Sequence, residues 1–222
     1  TYTDTEKLFL PEVVNEHDDR ELNFSIYKLT AVHLWAQLWY GTWRYQVVER
    51  LLRVPDPAAI GAIFNRLECI RLDACIARDL PGMHRQFEAL AYRSTAHKQQ
   101  WVEWRKRASF LANPSASALD SVALSADFVT LTLPELKCYQ GEIHLQRIRE
   151  AMFARIDREK AAMKQALSEL QRALQEAADG DADSSENPKE MGEFSLSEDG
   201  DPASGGDVNF ELRFDGEQVE MR

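Results

Sequence analysis

Between Leu22 and Leu52 the chain concentrates its aromatic surface: Phe24, Tyr27, Trp35, Trp39, Tyr40, Trp43 and Tyr45, threaded with Ile26, Leu29, Val32, Leu34, Leu38, Val47, Val48, Leu51 and Leu52. Apolar side chains at Leu22, Ile26, Leu29, Val32, Ala36, Trp39 and Trp43 recur every three or four residues, the period of a helix. Tyr27, Leu34 and Leu38 cover much of the opposite side. A helix that is apolar on nearly all sides is a buried one. The stretch therefore predicts the central helix of an all-α domain, started by Asp18 and Glu21 as a reciprocal pair of caps.

The remaining chain supplies partners for that helix. Pro55 and Pro57 end it, and Asp56 before Pro57 starts a second helix over Ala58–Leu80, which should pack antiparallel across so short a turn. Ile60, Ile63, Leu67, Ile70, Ala74 and Ala77 form the seam of this helix, and Arg66, Glu68, Arg71, Asp73 and Arg78 read as its solvated face. After Pro81 and Gly82 the spacing predicts a third helix from Met83 to Leu111. Residues 128–133 alternate as a strand would, but Thr132 and Glu135 flank Pro134 as a capping box, so we read them as the lead-in to a fourth helix over about 134–178. Beyond Ile156 its apolar stripe narrows to Met163, Leu167, Leu170 and Leu174, the width of a coiled-coil seam. The expected domain, residues 1–178, is an antiparallel bundle of about four long helices with the last one partly projecting.

The charge is uneven. From Asp179 onward 14 acidic residues face 3 basic ones, which accounts for the whole net charge of −11. Residues 179–206 have the composition of a disordered acidic linker. Residues 207–222 differ, because Val208, Phe210, Leu212 and Phe214 alternate with polar residues up to Asp215-Gly216, a β-hairpin signal. A lone hairpin is marginal in water, so this segment is expected to dock on a surface. Cys69, Cys75 and Cys138 are an odd number without metal or redox spacing, which points to a reducing, cytoplasmic setting. No run of about 18 apolar residues suggests a membrane span, and Thr1–Lys7 is polar where a signal peptide is charged and then apolar.

Familiar catalytic signatures are missing. The chain has no GxxxxGK[ST], GxGxxG, HExxH or GxSxG element and no pair of CxxC motifs. Three weaker groupings remain. His97 and Ser94 fall on the expected core face of the third helix and His33 lies among the tryptophans of the first; together they could bind a metal or haem, or fix the register as a polar layer. Glu16, His17, Asp18 and Asp19 bring metal-type donors together, though acids are also favoured at a helix start. Lys98, Trp101, Trp104, Arg105, Lys106 and Arg107 interleave cations with rings as a nucleic-acid surface would, but both tryptophans fall on the seam.

The function these features favour is a non-enzymatic interaction module with no cofactor. It would bind another chain, or a second copy of itself, through Met163, Leu167, Leu170, Leu174, Val208, Phe210, Leu212 and Phe214, and neither a membrane nor nucleic acid. The alternative is an enzyme with a haem, metal or small-molecule pocket among the aromatic residues of the central helix, with His33 and His97 as the candidate cofactor-binding residues.

Overall fold

The computed structural model describes residues 1–90, 94–180, 194–199, 209–214 and 217–218, and divides into a unit from Thr1 to Met152 and another from Phe153 onward. In the first unit an antiparallel pair, β1 (Tyr2–Thr3) and β2 (Leu8–Phe9), precedes α1 (Arg20–Trp39), α2 (Tyr45–Arg53), α3 (Pro57–Asp79), α4 (Pro81–Ala89), α5 (Thr95–Arg107) and α6 (Ala118–Leu124). The last helix, α7, spans Leu145–Gly180 and begins in this unit. The chain is thus mostly helical, as expected, but the long helices are fewer and differently placed.

The central helix is α3. Asp56 caps it by accepting the Ala59 backbone N–H at 3.0 Å, Pro57 occupies its first turn, and Pro81 follows its end. Ile63, Leu67, Cys69 and Ile70 pack with Trp101, Trp104, Ala108, Leu111 and Phe128. Leu72 and Ile76 pack with Ile26, Leu29, Ala36, Phe87, Leu90 and Tyr139. Phe64 packs with Trp43, Val47, Val48, Leu51, Ala118, Ile148 and Met152. One helix therefore enters all three of these apolar clusters of the described residues.

The expected helix over Leu22–Leu52 is broken in two by Gly41. This glycine sits at φ 68°, a left-handed conformation open to it because it lacks a Cβ. Its N–H donates to the Leu38 carbonyl at 3.3 Å and the next N–H, of Thr42, reaches back to Gln37 at 2.9 Å, the paired bonds of a glycine C-cap. The turn separates the aromatic residues. Trp43 is buried and donates to Gln37 Oε1 at 3.0 Å, whereas Trp39 is 68% exposed and Phe24 62% exposed.

Two further expected helices are interrupted. The third is split by Ser94, whose Oγ accepts the His97 backbone N–H and starts α5 afresh. The fourth begins at Leu145 and not at Pro134, and residues 128–133 are neither a strand nor a helix lead-in. A 3-10 turn ends at Phe128, and the chain then runs without regular structure to His144. Side-chain donors hold it in place: Trp104 Nε1 bonds the Thr132 carbonyl at 3.1 Å, Trp101 Nε1 the Glu135 carbonyl at 3.0 Å, Arg66 Nε the Pro134 carbonyl at 3.0 Å and Asn65 Nδ2 the Gly141 carbonyl at 3.1 Å. These bonds satisfy carbonyls that a helix would have satisfied internally. A Cβ on Gly141 would stand 2.6 Å from a Leu34 methyl and 3.0 Å from the Thr1 carbonyl oxygen, so the segment passes there with no room to spare.

In the second unit α7 continues to Gly180, with Met163 and Leu167 half-buried and Leu170 half-exposed. Strands β3 (Phe194–Asp199), β4 (Asn209–Phe214) and β5 (Glu217–Gln218) form an antiparallel ladder that pairs Phe194 with Phe214, Leu196 with Leu212 and Arg213 with Gln218. β3 falls within the stretch whose composition suggests a linker. Most of that linker, Val208, the Asp215-Gly216 turn and the final residues lie outside the described residues.

This placement predicts opposite outcomes for two apolar truncations. Leu67→Ala, at a fully buried position, should cost ~2–5 kcal/mol, whereas Trp39→Ala should cost less than about 1 kcal/mol. Urea melts of both variants check this, and equal losses would put Trp39 in the core.

Candidate functional site

The charged residues of α3 are not a solvated face. Glu68, Arg71 and Asp73 are buried, Arg66 is half-buried, and Arg78 alone of the five is exposed. Arg71 grips the Glu68 carboxylate with two bonds, Nε to Oε1 at 2.8 Å and Nη2 to Oε2 at 2.7 Å. Ser121 of α6 donates to Oε1 at 2.7 Å and Thr42 donates to Oε2 at 2.6 Å. Arg71 Nη2 also lies 3.2 Å from the Tyr40 carbonyl. Every oxygen of the carboxylate is thus satisfied, which is what allows an ion pair to sit out of water. The helical spacing hides this, because a charge at a position off the apolar seam looks the same whether it meets solvent or a buried partner.

One turn further on, Asp73 holds a second group. Its Oδ2 accepts from Arg105 at 2.8 Å and lies 3.8 Å from Lys137 Nζ, which is 3.1 Å from the Tyr139 hydroxyl. Asp73 Oδ1 is buried with no hydrogen-bond partner. These residues border a cleft of about 550 Å³ whose walls include Ile70, Phe87, Leu90, Lys98 and Val102. His33 lies against two residues of that wall, with ring centroids 6.5 Å from Phe87 and 5.8 Å from Tyr139. Neither of its ring nitrogens has a hydrogen-bond partner, and burial holds its pKa below the usual range, with Lys137 pushing the same way and Asp73 and Glu68 against. It is a neutral imidazole in an aromatic setting.

His97 has different surroundings. Its Nε2 stands 2.9 Å from both the Trp101 indole nitrogen and the Glu135 carbonyl oxygen. Lys137 links the two settings, with its ammonium 5.8 Å from the Trp101 ring centroid and 5.5 Å from that of Tyr139. Ser94 is not on the core face with His97 but exposed at the helix start. In the other groupings, Asp19 caps α1 by accepting the Glu21 N–H at 2.7 Å, and Asn23 Oδ1 accepts the backbone N–H groups of Glu16 and His17. Among the described residues no three His, Cys, Asp or Glu side chains converge on a point that could hold a metal ion. Trp101 and Trp104 are buried, so the basic end of α5 presents cations without the rings that would stack on bases.

The outward side of α1 is the feature that periodicity alone did not mark. Phe24, Tyr27, Trp35 and Trp39 share one face, and Trp35 stacks on Trp39 with centroids 5.4 Å apart and planes 21° from parallel. At 100° per residue, Phe24, Tyr27, Lys28, Ala31, Trp35, Leu38 and Trp39 all fall within an arc of about 120°. The opposite side of the helix carries Ile26, Leu29, Ala36 and His33 into the core. The helix is apolar all round, as its composition says, yet only one side is covered.

No known protein family, curated protein or solved structure matches this chain. Among the described residues no helix is long and apolar enough to cross a membrane.

Two expectations follow from the buried charges. Glu68→Leu strands a buried guanidinium and should cost ~3–5 kcal/mol, while adding Arg71→Met should recover most of that loss in the same denaturant melts. For His33 the sign follows from its lowered pKa. Above its ordinary value of 6.5 the ring is neutral in both states. Below it the unfolded chain takes up a proton that the folded chain refuses, so stability falls as the pH drops, by up to about 1.4 kcal/mol per pH unit. His33→Leu should flatten that decline between pH 6.5 and 5, and an unchanged slope would show that His33 is protonated in the fold.

Proposed function

We propose that this protein is a non-enzymatic interaction module, a helical domain that presents apolar side chains to another protein chain. The observation that carries this reading is the exposed aromatic face of α1. Soluble proteins seldom leave a contiguous apolar patch of more than a few hundred Å² in water, and those that do use it for binding. Tryptophan and tyrosine are also the residues that contribute most at the centre of protein interfaces. The narrow stripe of α7, at Met163, Leu167, Leu170 and Leu174, and the apolar residues Phe210, Leu212 and Phe214 of β4 support the same reading as further contacts for a partner.

A small-molecule or haem pocket is the second reading, supported by the unbonded imidazole of His33 beside the cleft at Asp73 and Lys137. Asp73 in that cleft already has Arg105 and Lys137 as ion-pair partners within the protein, and the rings of the α1 face have no such cover. A photoreactive amino acid placed at position 39 should capture a discrete protein when the chain is expressed in its own cells, while the same group at exposed Lys106 should not. Absence of any adduct at position 39, or a haem absorbance band or stoichiometric metal in the purified protein, would overturn the module reading.

A further inference from the structure

We propose that the cleft at Asp73 binds a free amino acid with a large apolar side chain, its ammonium on the acceptors of Asp73 and His84 and its carboxylate on Lys98 and Arg105. The inference goes beyond the interaction reading and does not rest on it, since no described residue of the cleft lining belongs to α1. Four pieces of chain meet there: α3 supplies Asp73, α4 His84 and Phe87, α5 Lys98 and Arg105, and the irregular stretch before α7 supplies Lys137. The volume of about 550 Å³ lies within the ~300–1,000 Å³ of small-molecule sites.

The acceptors identify one end of the ligand. Asp73 is buried, and both cations that it already holds, Arg105 at 2.8 Å and Lys137 at 3.8 Å, approach Oδ2, while Oδ1 accepts no hydrogen bond. His84 Nδ1 is a second buried atom of the lining without a hydrogen-bond partner. Its other ring nitrogen faces Glu88 Oε1 at 3.5 Å, which in the neutral ring favours the proton on Nε2 and leaves Nδ1 as an acceptor. Buried acceptors left unbonded are costly, so two of them on one cleft mark a place for a donor. An ammonium brings three donors on one atom and a charge opposite to that of Asp73.

The cations identify the other end. Among the described lining residues, the three cations Lys98, Arg105 and Lys137 stand against the two acids Asp73 and Glu88. A ligand with an ammonium alone would add to that excess, whereas one that also carries a carboxylate leaves it unchanged. Lys98 is exposed and Arg105 half-buried, so a carboxylate held by them keeps part of its contact with water. Between the two ends, buried Ile70, Phe87 and Leu90 and exposed Val102 offer an apolar surface to a side chain. A plain apolar acid would meet the cations and the walls but leave Asp73 Oδ1 and His84 Nδ1 without donors.

Calorimetric titration of the full chain near neutral pH tests this with three probes. L-Phenylalanine should bind one to one with a Kd below about 1 mM. 3-Phenylpropionate, which lacks the ammonium, and L-phenylalaninamide, which lacks the carboxylate, should each bind at least about tenfold more weakly. Val102→Trp, which fills the cleft from an exposed position, should abolish binding. Lys98→Glu should weaken it about fivefold or more, whereas Lys106→Glu, the same charge change outside the cleft, should leave it as in the wild type. Far-UV spectra and melting points identify any variant that fails to fold, and the three probes on the wild-type chain need no variant. No binding of phenylalanine, equal binding of either truncated probe, or full binding by the Val102→Trp variant would overturn the inference. Capture at position 39 is read out separately, so the cleft and the α1 face stand or fall independently.

Discussion

The bidentate pair of Glu68 and Arg71 is the contact to which separate parts of the first unit are tied. Both residues lie on α3, yet the bonds they make reach the turn after α1, through Thr42 and the Tyr40 carbonyl, and the middle of α6, through Ser121. A charge inside a protein is stable only when its partners are fixed at good geometry, because each lost bond leaves a desolvated group unpaired. The pair thus demands that Gly41 turn the chain where it does. That turn in turn brings α2 into contact with α3, and places Trp43 against Phe64 with ring centroids 5.9 Å apart.

The same logic explains the irregular stretch from Phe128 to His144. It is buried at Pro134, Lys137, Tyr139, Gln140 and Gly141 without being helical, which would leave its carbonyls orphaned if α3 and α5 offered only apolar side chains. They offer Asn65, Arg66, Trp101 and Trp104 instead. The indoles do two things at once, filling the core with their rings and donating to Thr132 and Glu135 with their N–H groups. Lys137 arrives on this segment to meet Asp73, so the cleft at its edge is lined by charges of both signs, Asp73 and Glu88 with Lys98, Arg105 and Lys137.

The outward face of α1 follows from what these contacts leave over. α3 contributes to every cluster and occupies the centre that the aromatic helix was expected to hold. α1 then has one side to bury, the side of Ile26, Leu29 and His33, and the rings at Phe24, Tyr27, Trp35 and Trp39 remain in water. Their stacking recovers part of the lost contact within the helix, but the surface stays apolar.

Much of this was open to reading in the sequence. The all-helical class, the Asp56-Pro57 start of α3, its seam through Ile63, Leu67 and Ile70 and its stop at Pro81 follow from period and caps, which act over a few residues and need no partner. Gly41, Ser94 and the tryptophan N–H groups were also visible, but their effect was not, because a glycine or serine inside an apolar period breaks a helix only when bonds elsewhere favour the break. Burial of Glu68, Arg71 and Asp73 and exposure of Trp39 were decided by the tertiary structure alone. Period assigns residues to sides of a helix; which side is covered depends on what the rest of the chain brings against it, and a helix apolar on every side gives no local sign of which that will be.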